Sequence, residues 1–264
     1  MTRASDAAVP MSRPRLLALL FGVAAAAVCL VIGLGYALVS ALSDAPRRET
    51  GSSQAVDAAS VRDRIAAAPM LAVAESAART PDVAVSLPPA VALPPASGPG
   101  AVGVRTGFPR TPLGAVAQMA EIDSRVLSAM SVAVAVDTYS AWALPGGVGA
   151  SEWAQTGNVR SFLASARQAG DVKDASTFVS VTPAAYQLKG TDGEDWVVAC
   201  VLFDVTARIA DVARMGYGTC ERMQWTTDGW RIGPGTPPAP APSTWPGSEL
   251  SVRAGWLPLT RPEG

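Results

Sequence analysis

Two stretches decide the fold: residues 196–207, WVVACVLFDVTA, and residues 212–225, VARMGYGTCERMQW. Both are rich in β-branched and aromatic residues, and only about four residues separate them, so they read as one antiparallel hairpin. With the centre placed at Ala210, paired positions sum to 420. Phe203 then faces Tyr217, Val205 faces Met215, Val201 faces Thr219 and Val197 faces Met223. The opposite face pairs Cys200 with Cys220, Thr206 with Arg214, Val198 with Arg222 and Asp204 with Gly216. A slip of one residue would mix the faces. This register keeps the first face nearly all apolar and sets the two cysteines directly across from each other. A directly opposed, non-hydrogen-bonded pair has Cα atoms about 4.5 Å apart, a spacing a disulfide accepts. A Cys200–Cys220 disulfide is therefore expected.

Working outward, Thr177 to Leu188 reads as a preceding strand and the turn Thr191 to Glu194 follows it. Asp228-Gly229 signals a hairpin into a short fourth strand, Trp230 to Ile232. Upstream the period changes. Thr111-Pro112 reads as an N-cap with proline in the first turn, followed by Leu113, Val116, Ala120, Leu127, Met130 and Val134 at helical spacing. A second helix spans Val132 to Ala143 and is stopped by Pro145 and Gly146. Short helices capped by Ser151 and Asn158 carry Trp153 and then Val159, Phe162 and Leu163. The expected architecture is α+β, about three helices packed on a four-stranded antiparallel sheet.

The remainder of the chain differs in composition. Fourteen of the 16 aromatic residues lie between Phe108 and Trp256, and none lies between Tyr36 and Phe108. Residues 106–235 are therefore the expected domain. Residues 43–105, rich in Ala, Ser and Pro, read as a flexible spacer favouring polyproline geometry. Residues 236–264 read as a Pro-rich tail, irregular but for a docking segment around Trp256. Residues 16–42 are 27 residues without a charge. As a helix they would be about 40 Å long, enough to cross a hydrocarbon core and too long for a signal-peptide core. The expectation is a single transmembrane helix, with residues 1–15 cytoplasmic and the domain extracytoplasmic. The expected disulfide agrees with that side, because it needs an oxidising compartment.

Composition excludes several chemistries. The chain of 264 residues has no histidine, three cysteines, a net charge of -1 and mean hydropathy of +0.24. Ser-His and Cys-His nucleophile systems and His-ligated metals are absent, and no basic field points to nucleic acid. Gly98, Gly100 and Gly103 match G-x-G-x-x-G, but a Pro-rich stretch precedes them and Pro99 sits inside, so no dinucleotide loop is expected. No catalytic, cofactor or metal residues are assigned. In an enzyme reading, Asp204, Tyr186 and Tyr217 would be base and donors. The register puts Asp204 and Tyr217 on opposite faces, however, and sets Asp204 beside Arg214 as an ion pair. Asp123, Arg125, Glu221 and Arg222 read as solvated charge. Trp245 and Trp256 read as anchors for a partner or for the domain itself.

The segments PRTPLGAVAQMAEID from Pro109, VVACVLFDVTA, YGTCERMQW and DGWRIGPGTPPAPAPSTWPG resemble blocks of actinobacterial conjugal-transfer single-pass membrane proteins. The outer domains of that family resemble the nuclear-transport-factor-2-like (cystatin-like) roll of type IV secretion assembly factors. The resemblance spans roughly residues 109–247. It implies a non-enzymatic scaffold of a conjugal DNA-transfer apparatus, contacting the membrane and protein partners of that complex or further copies of itself. An alternative is a component of another envelope complex such as a lipid-import system, or a ligand-binding roll. High Arg with only Lys173 and Lys189 and the single Asn158 fits a GC-rich genome.

Overall fold

The computed structural model describes residues 61–209 and 211–260. The expected membrane segment at 16–42 lies outside these residues, as do the expected cytoplasmic tail at 1–15 and positions 43–60 of the expected spacer. Among the described residues no helix is long and apolar enough to cross a membrane.

Between residue 111 and the main strands lie three helices. Helix α1, Pro112–Ala129, begins as its sequence dictates: the Thr111 hydroxyl accepts from the Gly114 amide at 3.1 Å, with proline in the first turn. Gly114 is required there, because a Cβ would stand 1.9 Å from the Pro109 carbonyl oxygen. Met130 closes the helix in the left-handed region (φ 42°). Ser131 then caps α2, Val132–Trp142. Helix α3, Ala154–Ser165, starts four residues before the expected cap. Asn158 therefore sits inside the helix, and its side chain turns to Tyr217 and Gln155 instead.

Two short strands, β1 (Gly98–Pro99) and β2 (Arg105–Thr106), pair with each other ahead of α1. The glycine triplet thus sits in this small hairpin, and no strand–loop–helix phosphate cradle forms around it. The main sheet contains β3 (Phe178–Thr191), β4 (Trp196–Arg208), β5 (Val212–Thr226), β6 (Gly229–Ile232) and β7 (Leu257–Pro258). Their order is β6-β5-β4-β3-β7, all antiparallel. The β4–β5 register is the one that sums to 420 throughout, from Trp196↔Gln224 to Arg208↔Val212. The sheet has five strands rather than four, because β7 from the tail adds to the outer edge of β3 at Ala185 and Tyr186.

The helices cover one face of the sheet. Val197, Ala199, Val201, Phe203 and Met223 meet Val116, Met119, Ile122, Val126 and Trp142 there. The other face carries Trp196, Val198, Cys200, Leu202 and Cys220, and these are also buried. Their cover comes from both ends of the chain, which corrects the flexible spacer over 61–105 and the domain bounds of 106 and 235. Residues 61–67 are helical and Ala66 is fully enclosed. The Ala66 carbonyl accepts from Lys189 Nζ at 2.6 Å and from the Ala239 amide at 2.9 Å. Further along, the Trp245 amide donates to Ala77, Ala84 donates to Gly247, and Val91 donates to Pro258.

The physical reason is the apolar second face. β4 is buried on both sides from Trp196 to Phe203, and such a strand must be covered twice. Ala and Pro side chains lose little rotamer freedom on burial. A segment without aromatic residues can therefore serve as a wall even though it could not form a core of its own. The tail likewise has more structure than expected. Ser248 caps α4, Glu249–Arg253, and Trp256 is buried with its indole N–H on the Pro242 carbonyl at 3.1 Å. Two glycines admit this tail: a Cβ on Gly216 would lie 1.8 Å from the Thr244 carbonyl oxygen, and one on Gly218 2.7 Å from that of Pro242.

Candidate functional site

Three features of the fold bear on function. The first is the Cys200–Cys220 disulfide, with Cα atoms 4.0 Å apart at the centre of the sheet. It lies on the sheet face covered by the two chain ends, residues 61–91 and 239–256 (the strap face), where Cys220 Sγ is 3.6 Å from Met70 Sδ.

The second is a polar cluster enclosed on the helix face, which the sequence reading missed. Asp123 of α1 and Glu221 of β5, expected as solvated charges, are both buried. Around them stand Trp153, Gln155 and Asn158 at the start of α3, with Tyr217 and Thr219 on β5. Trp153 Nε1 donates to Glu221 Oε1 at 2.7 Å. Gln155 Nε2 donates to Thr219 Oγ1 at 3.3 Å, while its carbonyl oxygen accepts from the Tyr217 hydroxyl at 3.0 Å. Neither oxygen of Asp123 has a hydrogen-bond partner among the described residues.

A signal for this cluster was present. Asp123 falls three residues after Ala120 and four before Leu127, on the apolar stripe of α1. In the hairpin register Glu221 shares the apolar face with Thr219 and Met223. Burial, and then the neighbouring Glu221 charge, hold the Asp123 carboxyl well above the usual carboxylate range. Burial pushes Glu221 up to about 7 against the opposing pull of the Trp153 hydrogen bond. Burial and both carboxylates raise the Tyr217 phenol. The opening next to Glu221, between Tyr139, Trp153 and Pro237, measures about 10 Å³, room for about one water. This arrangement can hold and exchange a proton. At Glu221 it leaves no space for an organic substrate.

The remaining singled-out residues separate. Asp204 is paired with Arg214 at 2.6 Å, as the register requires, and lies on the other face of the sheet from Tyr217. Tyr186, opposite Val201 on β3, joins the helix-side core. The structure does not bring Asp204, Tyr186 and Tyr217 together. Arg125 is exposed, as expected, and donates to the Val102 carbonyl. Arg222 is buried on the strap face, bonded to Asp63 and to the Thr236 carbonyl, each at 2.7 Å. Trp256 packs on its own domain, and Trp245 lies under the Arg214 guanidinium at 4.6 Å.

The third feature is a groove of about 740 Å³ between α1, the outer edge of β3 and the extended residues 92–96. Its walls include Leu93, Pro94, Phe108, Ala120 and Val181.

These features define an α+β domain with a five-stranded antiparallel sheet and a buried disulfide. No family model matches the chain, and comparisons with curated proteins and with solved structures gave no match.

Proposed function

We propose that this protein is a membrane-anchored scaffold of a conjugal DNA-transfer apparatus of the type IV secretion kind, acting through protein contacts of an extracytoplasmic roll domain rather than by catalysis. The observation that carries the extracytoplasmic part is the Cys200–Cys220 disulfide, which persists in an oxidising compartment. The uncharged run at 16–42 supplies the anchor in this reading. Helices on one face of an antiparallel sheet are compatible with a nuclear-transport-factor-2-like roll. The assignment to conjugation rests on the sequence blocks between residues 109 and 247. The polar cluster favours a structural over a catalytic role, because its opening at Glu221 is about the size of one water.

The test is deletion of the coding sequence in a host carrying a transferable element. Transfer frequency should collapse while growth and lipid uptake stay normal, and wild-type protein supplied in trans should restore it. Unchanged transfer with impaired lipid uptake would replace this reading with the lipid-import alternative. A C-terminal alkaline-phosphatase fusion should be active; an inactive one would place the domain on the wrong side.

A further inference from the structure

We propose that the free outer edge of β3 at residues 178–183 is a strand-addition site, taking an extended apolar segment of a partner protein. The proposal rests on the reading of this domain as a protein-contact module. It begins from the hydrogen-bond parity of the sheet. Cys200 and Cys220 are 4.0 Å apart at Cα, the close spacing of a non-hydrogen-bonded pair. Cys200 therefore turns its N–H and C=O toward β3, and so do Asp204 and Thr206 on the same strand. Their partners on β3 are Thr182 and Ser180, which must point back at β4. The alternate residues Val179 and Val181 then direct their N–H and C=O groups away from β4. Gly218 confirms the same parity on the far side, since its amide reaches outward to Ser243 Oγ at 3.0 Å.

β7 occupies this outer edge only at Ala185 and Tyr186, and Leu259 adds one bond to the Ala184 carbonyl. Among the described residues no backbone group pairs with the outer side of Val179 or Val181. An open strand edge is a template for another strand. The space beside it has the right width. At Leu259 the chain sits between β3 on one side and Val91 on the other, bonded to both directions through Leu259 and Thr260. Strap and β3 thus stand one strand apart. Past Thr260 the same slot continues between residues 92–96 and residues 181–183 as the 740 Å³ groove, within the usual range of a ligand site.

The lining selects the occupant. Leu93, Pro94, Pro95, Phe108, Ala117 and Ala120 offer apolar contacts, while Arg105 and Glu121 at the rim neutralise each other at 2.6 Å. The next residues of this chain, Arg261, Pro262 and Glu263, suit the slot poorly, with two charges and one missing N–H. An uncharged strand with apolar side chains at every second position matches both the edge and the walls.

The full chain in detergent micelles would be panned against phage-displayed random peptides, and enriched peptides measured by fluorescence anisotropy. Alternating apolar sequences should be enriched. N-methylation of the peptide amides that face β3 should weaken binding about tenfold or more. Val181→Pro, which removes an outward N–H, and Ser124→Trp, which fills the groove from α1, should weaken it likewise. The idea is overturned by no enriched peptide, by indifference to N-methylation, or by binding that survives both variants. Peptide binding seen only when the chain ends at Thr260 would show the slot to be filled by its own residues 261–264, and would also overturn it. None of these results bears on transfer frequency, so a failed groove leaves the scaffold reading standing.

Discussion

The two faces of the central sheet are built on different plans. The helix face is covered by α1, α2 and α3, contributed by one continuous stretch, and is packed with large side chains such as Met119, Trp142 and Phe203. The strap face is covered by residues 61–91 and 239–256, which come from both ends of the described chain and meet each other across the sheet. Its cover is mostly Ala, Pro and backbone, secured by the Trp256 indole and by Arg62 and Arg222 against the Trp196 ring. Large residues can make a core. Small residues can only close one, and they do so where a two-sided strand leaves an apolar face open. The helix face should therefore carry global stability, and the strap face should open first in local fluctuations.

The largest expected effect tests that contrast directly. Phe203→Ala on the helix face should cost about 3–5 kcal/mol and lower the whole urea transition of the α+β domain. Trp256→Ala on the strap face should release the chain ends, seen as faster hydrogen exchange at Ala84, Val91 and Leu259. Equal global destabilisation by both, with no local opening, would erase the distinction between the faces.

Next in size is the disulfide. Closing a loop of 20 residues contributes roughly 3 kcal/mol in the chain-entropy picture. Cys200→Ser with Cys220→Ser should lower the melting temperature accordingly, and non-reducing mass spectrometry of the wild type should find no alkylatable thiol at either position. If the double variant melts where the wild type does, the sheet holds without its staple.

The buried acids give the helix face a pH signature. Glu221 sits at about 7 in the folded chain against an ordinary 4.5, so between those values the folded state binds more protons than the unfolded state. The stabilisation is complete below about pH 4.5 and is lost as pH rises toward 7, by up to roughly 3 kcal/mol. Asp123, also raised, acts in the same direction. Urea melts at pH 5 and pH 7.5 should show the loss, and Glu221→Gln should reduce it to the part that Asp123 contributes. A wild-type stability that rises across this window would contradict the enclosed pair.

The smallest effect concerns how the tail seats. Gly216→Val would drive its side chain against the Thr244 carbonyl and should cost about 1–3 kcal/mol, with new proteolytic cleavage between residues 236 and 248. An uncut tail would mean that the strap face adapts more readily than this packing allows.

The hairpin of β4 and β5 was legible from residues alone. Face separation and the position of two cysteines converge on one register, and pairing across a short turn depends on local pattern. The N-cap at Thr111 and the apolar stripe of α1 are local in the same sense. The hidden carboxylates were half legible: Asp123 lies on the stripe and Glu221 on the apolar face, but their charge argued for solvent. Only the approach of α3, which brings Trp153 and Gln155 to them, closes the site. The fifth strand, the strap and the Trp256 dock were decided by tertiary structure. Residues 61–105 have no aromatic side chain to seed a core, so nothing within them fixes where they pack. They become ordered because β4 is apolar on both faces, and covering the second face draws in whichever segments lose the least entropy in doing so.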